Sequence, residues 1–245
     1  MTTKKQILEL YIESGVDCFL SSQPVDRFQE LTSAISIPEK EKSNEGVMSQ
    51  SRGIADRCTT LKELEASIRA FDGCEIKQQA QKTVFADGDP KASIMLIGEA
   101  PGASEDQQGI PFCGPSGKLL DNILYSIKLT RESVYITNTV FWRPPGNRRP
   151  TSLEIETCRP FVEKHVALVG PKLIILVGNT AVESLLKLQL PMHSIRHQEF
   201  QYSNRYMQSP IPASVIFHPS YLLRSPFKKK DMWYDILKIQ KKLKV

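Results

Sequence analysis

Four short apolar runs constrain what this chain can become. SIMLIG (93–98), SVYITN (133–138), KLIILVGN (172–179) and SVIFHPS (214–220) are each a few residues of β-prone, apolar character. Between them lie SGKLLDNILYSI (116–127), with Leu119, Leu120, Ile123, Leu124 and Ile127 on one helical face, and AVESLLKL (181–188). LEIETCRPFVEKHVALV (153–169) has a helical pattern too, but Pro160 inside it predicts a break or kink, with a restart at FVEKHVALV. Apolar strands alternating with amphipathic helices predict an α/β fold: a central, mostly parallel sheet with helices on both faces, in three layers.

The N-terminal part is different in character. KKQILELYIESGVDCFL (4–20) puts Ile7, Leu8, Tyr11 and Ile12 at helical spacing, which predicts a helical extension over residues 1–32. Residues 33–57 are polar and rich in Ser, Glu and Lys, and read as a flexible linker. The main domain is then expected over 58–245. It opens on Thr60 and Glu63, a capping box for the helix TLKELEASIRAF, with Gly73 as its stop.

Charge is spread unevenly. Residues 1–90 carry 11 basic and 15 acidic side chains, a net −4, whereas residues 91–245 carry 21 and 12, a net +9. Arg224, Lys228, Lys229, Lys230, Lys238, Lys241, Lys242 and Lys244 crowd the C-terminal end. Such a cluster suits a nucleic-acid backbone, or simply a solvated last helix. No apolar run reaches about 18 residues and the first residues lack a secretory pattern, so a cytoplasmic location and no membrane contact are expected. Cys18, Cys58, Cys74, Cys113 and Cys158 form no CxxC pair. Reduced thiols are expected in that setting, each a small buried hydrophobe by default.

The densest chemistry lies in GEAPGASEDQQGIPFCGPSGKLL, residues 98–120. Its glycines and prolines bring backbone close to a ligand, yet it carries Glu99, Glu105 and Asp106. It lacks the Lys and hydroxyl of a phosphate-cradling GxxxxGK[ST] loop, which argues against a nucleoside triphosphate. A GxGxxG fingerprint is missing as well.

Three of the apolar runs end in a polar residue: Glu99, Asn138 and His218. In parallel α/β sheets, ligands bind beyond the carboxyl ends of the strands, so these three side chains are expected to share one pocket. Singly, each has a plain structural reading, as a cap, a turn residue or a packed histidine. Together they suit a defined chemistry. A carboxamide reads the edge of a planar base, a neutral imidazole donates to a developing oxyanion, and a carboxylate positions water or stabilises a cationic sugar. Phe112 can stack on the base. No Lys stands at these strand ends, which favours attack by water over a Schiff-base route.

GEAPGASEDQQGIPF-x-G-x-SGKLL, YITN-x-x-x-x-RPPGNR and HPSYLLR, in that order and at that spacing, closely resemble the family 4 uracil-DNA glycosylases. The resemblance covers about residues 71–245, and the N-terminal 70 residues look like the extension of longer bacterial relatives. It implies a uracil-DNA glycosylase-like fold and hydrolysis of the N-glycosidic bond of uracil in DNA, by base flipping and water attack, at the start of base-excision repair.

The resemblance also implies roles. Glu99, Glu105 and His218 form the catalytic set, the loop's acids facing the sugar, with Glu99 placing the attacking water, His218 facing the departing base, and Glu105 with Asn147 organising the site. Gly98, Ala100, Pro101, Gly102, Phe112, Asn138 and Asn147 hold the substrate. Arg143, Arg148 and the loop Pro219, Ser220, Tyr221, Leu222 and Arg224 contact DNA, the loop as a wedge, with Arg149 and the C-terminal lysines on the backbone. The partner is uracil-containing DNA, single- or double-stranded, and the protein is expected to be a monomer.

One family feature departs. Four cysteines hold a 4Fe–4S cluster in that family, and here Cys74 and Cys158 match two of them while Phe71 and Trp142 replace the others. No cluster, or a labile one, is expected, with the two aromatic rings filling its space and recruitment of Cys58 or Cys113 as the alternative. Two other functions stay open at this level: a non-catalytic DNA-binding or replication-associated protein of the same fold, and a glycosylase for another deaminated base.

Overall fold

The structure, a computed structural model, describes residues 39–243. The expected extension over 1–32 and the first residues of the expected linker lie outside that range. The rest of the linker differs from expectation: Glu39–Arg57 is helix α1. Its C-terminal half has a use for order, because Val47, Ile54 and Ala55 pack with Leu64 and Ile68 of the next helix. A few well-spaced apolar positions outweigh a polar average when a neighbouring helix offers them a surface.

Helix α2 (Leu61–Ala70) starts as its capping box requires, Thr60 Oγ1 accepting the Glu63 N–H. It stops at Phe71, two residues before Gly73. Six strands follow in one sheet: β1 (Asp87–Gly88), β2 (Ile94–Gly98), β3 (Tyr135–Asn138), β4 (Leu173–Val177), β5 (Phe200–Tyr202) and β6 (Ile211–Ile216). Their spatial order is β1-β3-β2-β4-β6-β5. The inner four run parallel; the short edge strands β1 and β5 pair antiparallel.

The inner strands are buried on both faces, with the two-residue alternation that a pleat imposes. Met95, Ile97, Ile174, Leu176, Ala213 and Val215 join one core. Ile94, Leu96, Leu173, Ile175, Val177 and Ile216 join the other. The first core is closed by α1, α2, α5 (Ser152–Val169) and α6 (Asn179–Leu186). The second is closed by α4 (Pro115–Tyr125), α8 (Pro219–Arg224) and α9 (Lys229–Leu243). Short α3 (Ala103–Gln108) and α7 (Met192–Ile195) complete the described helices.

The expected break at Pro160 does not occur: α5 runs from Ser152 to Val169 with the proline inside. Ile155, Cys158, Phe161, Val162 and Val166 on both sides of it are buried, so core packing holds the helix across the lost hydrogen bond. Among the described residues no helix is long and apolar enough to cross a membrane.

Candidate active site

The carboxyl ends of β2, β3 and β6 and the starts of α3, α4 and α8 surround a cavity of about 390 Å³. Glu99, Phe112, Asn138 and His218 all line it, with Ala100, Pro101, Gly102, Glu105, Asn147, Arg148, Ser220 and Arg224. The three strand-end residues therefore converge as their shared position requires.

Gly98 lies against both Asn138 and Phe112. It is the register partner of Asn138 across the β2–β3 pair. A Cβ on Gly98 would come 2.4 Å from Asn138 Oδ1 and 2.5 Å from Phe112 Cζ, so only glycine lets the amide and the ring meet there. Asn138 is buried, and its Oδ1 has no hydrogen-bond partner. A buried orphan acceptor costs stability unless a ligand satisfies it.

Phe112 holds a left-handed backbone, φ 51°, unusual for an aromatic residue. Two contacts enforce it. Arg131 Nη2 donates to Phe112 O at 2.5 Å, and Nη1 donates to Pro111 O at 2.9 Å, while the guanidinium also pairs with Asp87 and Asp121. From the other side Gly117 lies so close that a Cβ would be 1.6 Å from Phe112 O. Arg131 was not singled out in the sequence; its partners are 10 to 44 residues away, beyond any local pattern.

His218 is both the cap and the pocket residue. It is the N-cap of α8, and its Nδ1 accepts the Ser220 backbone N–H at 3.2 Å and lies 2.8 Å from Ser220 Oγ. A backbone amide can only donate, so Nδ1 is the bare nitrogen and Nε2 carries the proton. Burial, helped by the Arg224 charge, pushes the imidazole pKa down to about 4. Its ring centroid lies 5.6 Å from that of Phe112. Gly178, at φ 93°, leaves room for it: a Cβ there would be 3.0 Å from His218 Cβ.

The acids divide into two kinds. Glu105 is buried, and its oxygens accept the Gly102 N–H (3.1 Å) and the Gly114 N–H (2.8 Å), tying the start of α3 to the start of α4. Asp106 accepts the N–H groups of Gln81 and Lys82. These two carboxylates thus hold loop backbone, which corrects the expectation that the loop's acids all face a sugar. Glu99 differs. Its carbonyl is pinned by Val140 N and Thr139 Oγ1, and Oε2 accepts from Thr180 Oγ1 at 2.5 Å. Among the described residues its Oε1 makes no hydrogen bond.

The expected DNA-contacting set is rearranged. Residues 219–224 are a helix, not a loop, and Leu222 is fully buried in the second core with Met232 and Ile236. Pro219 is buried as well, Tyr221 packs its ring 5.2 Å from Phe217, and Leu223 is the exposed apolar residue of the segment. Helical periodicity turns Leu222 inward and its neighbour outward. Ser220 and Arg224 reach the pocket lip. Arg143 donates to Asn147 Oδ1 at 2.7 Å, Arg148 grips Glu154 with two bonds of 2.8 and 2.6 Å, and Arg149 pairs with Glu183.

Away from the pocket, Cys74 and Cys158 are free, buried thiols close enough to influence each other's ionisation. The neighbouring Cys74 thiol and burial push the Cys158 thiol well above its ordinary pKa. Phe71 packs edge-on against Phe161 at 5.1 Å, and its ring lies over Gly73, where a Cβ would come within 2.5 Å of it. Trp142 is buried and donates Nε1–H to Thr83 Oγ1 at 3.0 Å. Among the described residues no group of three or more His, Cys, Asp or Glu side chains is placed to hold a metal ion.

Comparison with known proteins agrees with this geometry. The sequence model of the uracil DNA glycosylase superfamily matches residues 85–238. A type-4 uracil-DNA glycosylase of Saccharolobus solfataricus is 36% identical over 180 residues, 72% of this chain and 83% of its own length. Those of Sulfurisphaera tokodaii and Pyrobaculum aerophilum are 33% and 31% identical, covering 74% and 72% of this chain and 84% and 91% of theirs.

Proposed function

Because the chain belongs to the uracil DNA glycosylase superfamily, we propose that it excises uracil from DNA as a monofunctional, water-using glycosylase that initiates repair. The observation that carries this reading is the unpartnered Asn138 Oδ1 in a pocket shared with Phe112, Glu99 and the Nε2–H of His218. A carboxamide offers an acceptor beside two donors, which matches the N3–H and O4 of uracil. Cytosine presents the opposite pattern at those two atoms.

The flipped uracil stacks on Phe112 and meets Asn138 with its polar edge, at an unstacking cost of a few kcal/mol. The bond between C1′ and N1 breaks, and its electron pair leaves with the base. His218 Nε2–H donates to the base oxygen on which that charge accumulates. Glu99 faces the sugar, whose charge turns positive, and orients the water that adds to C1′. The proton released by that water passes to the carboxylate. Glu105 and Asn147 keep the loops in place, and Ser220, Arg224 and the exposed lysines of α9 meet the DNA strand. Each phosphate neutralised on duplex DNA steepens the salt dependence by roughly 0.9.

The residues at the family's cluster position do not fit a 4Fe–4S group, and no step is routed through one. Two thiols are half the usual ligand set, and Phe71 and Trp142, both buried, offer iron no ligand atom. The chain is read as working without iron. Iron and sulfide analysis of anaerobically purified protein is the check, and about four irons per chain would overturn it.

The activity test uses end-labelled single- and double-stranded oligonucleotides with one uracil, treated with alkali after incubation. Cleavage at the uracil that vanishes in His218→Ala and Asn138→Ala supports the reading and reports the strand preference. Salt-sensitive binding with no cleavage refutes it.

A further inference from the structure

We infer that Thr180 is a positioning residue for this reaction: its hydroxyl fixes which oxygen of Glu99 is left to handle water. The inference rests on the glycosylase reading above. Thr180 is the second residue of α6 and is fully buried. A threonine hydroxyl in a helix ordinarily bonds the backbone of its own helix. Here both partners are side chains from elsewhere. Thr180 Oγ1 donates to Glu99 Oε2 at 2.5 Å, and Arg149 Nε donates to Thr180 Oγ1 at 3.2 Å.

The direction of this chain is forced. A guanidinium has no acceptor, so Thr180 must accept from Arg149. A hydroxyl has one proton, and with Arg149 on the acceptor side that proton goes to Glu99. Arg149 is itself held by Glu183 on the same helix as Thr180. The chain is therefore Glu183, Arg149, Thr180, Glu99: Arg149 donates both to the Glu183 carboxylate and to Thr180, and Thr180 donates on to Glu99. Oε2 is occupied and Oε1 is free to bind water on the pocket side. With Thr139 and Val140 fixing the Glu99 carbonyl, the carboxylate is restrained at both ends. Positioning of this kind acts on the reaction step more than on substrate binding, because a shift of about 1 Å can cost on the order of 100-fold.

The test is a double-mutant cycle on uracil-containing single-stranded DNA, with thermal melting of every variant. Thr180→Val keeps shape and removes the hydroxyl; if it does not fold, Thr180→Ala takes its place. The expected result is a fall of roughly 10- to 100-fold in kcat with KM within about threefold. Thr180→Ser, which restores the hydroxyl, recovers most of the rate. In a Glu99→Ala background, Thr180→Val costs nothing further. A Thr180→Val enzyme as fast as the parent overturns the inference, and so does an undiminished loss in the Glu99→Ala background. A parent chain that leaves uracil untouched overturns the function itself and the inference with it, a result distinct from either.

Discussion

His218 accepts the backbone N–H of Ser220 through Nδ1 at 3.2 Å, so the cap of α8 also sets the tautomer of the pocket imidazole. The bland reading of this histidine, a capping residue, and the chemical one are the same bond seen from two sides. Its pKa of about 4 lies below its ordinary value, so the neutral donor is the populated form above pH 4. The rate of base release is therefore flat from this group between pH 5 and 8 and falls as pH drops through about 4. His218→Ala should lose roughly 100- to 1000-fold in kcat, as when one oxyanion donor is removed. A pH–rate profile with an imidazole inflection near 6.5, absent from the variant, would contradict the assigned tautomer and burial.

Asn138→Asp tests the reading of the base edge. The substitution keeps size and replaces the amide's two donors with an acceptor-only carboxylate. Uracil then loses a hydrogen bond at O4 and meets a charge, and kcat/KM should drop by roughly 10- to 100-fold. Competition between uracil- and cytosine-containing strands is the measurement, and discrimination should fall with it. Unchanged discrimination would mean that Asn138 does not read the base.

Gly117→Ala should act on Phe112 from behind. The added methyl would need the space 1.6 Å from Phe112 O, and backbone cannot yield cheaply. Either the Arg131 clasp opens or α4 shifts, at a cost of about 3 kcal/mol. The expected outcome is a lower melting temperature together with weaker uracil binding. Arg131→Met should release the same loop without the steric clash, giving a milder loss of both.

The sheet was legible because its strands are apolar on both faces, a pattern that few other elements share. The meeting of Glu99, Asn138 and His218 followed from one rule about strand ends. What stayed hidden was set by long-range partners. Thr180 reaches Glu99 across 81 residues and Arg131 reaches Asp87 across 44, and nothing local marks either. Composition misled at α1, where three apolar side chains among polar ones suffice to dock a helix. At residues 219–224, reading a DNA-wedging loop hid the helical phase that buries Leu222.

Acid stability should be governed first by a histidine outside the pocket. His165 of α5 is fully buried, stacked 4.4 Å from the Phe85 ring, with Nε2 2.9 Å from Tyr135 OH and Nδ1 without a partner. Burial pushes its pKa down to about 3. The folded value is below the unfolded one of about 6.5, so the unfolded chain takes up the proton first. Stability from this group is complete above pH 6.5 and is lost as pH falls through that value toward 3. The loss is about 1.4 kcal/mol per pH unit once the unfolded histidine is protonated. His218 adds a smaller contribution, because its shift is smaller and its window runs only from 6.5 to about 4. Urea unfolding at pH 7, 6, 5 and 4 measures the slope. His165→Gln should start less stable at pH 7 and lose less on acidification than the parent. Equal slopes in the two proteins would show that His165 takes up no proton on unfolding, and the acid sensitivity would then belong to other groups.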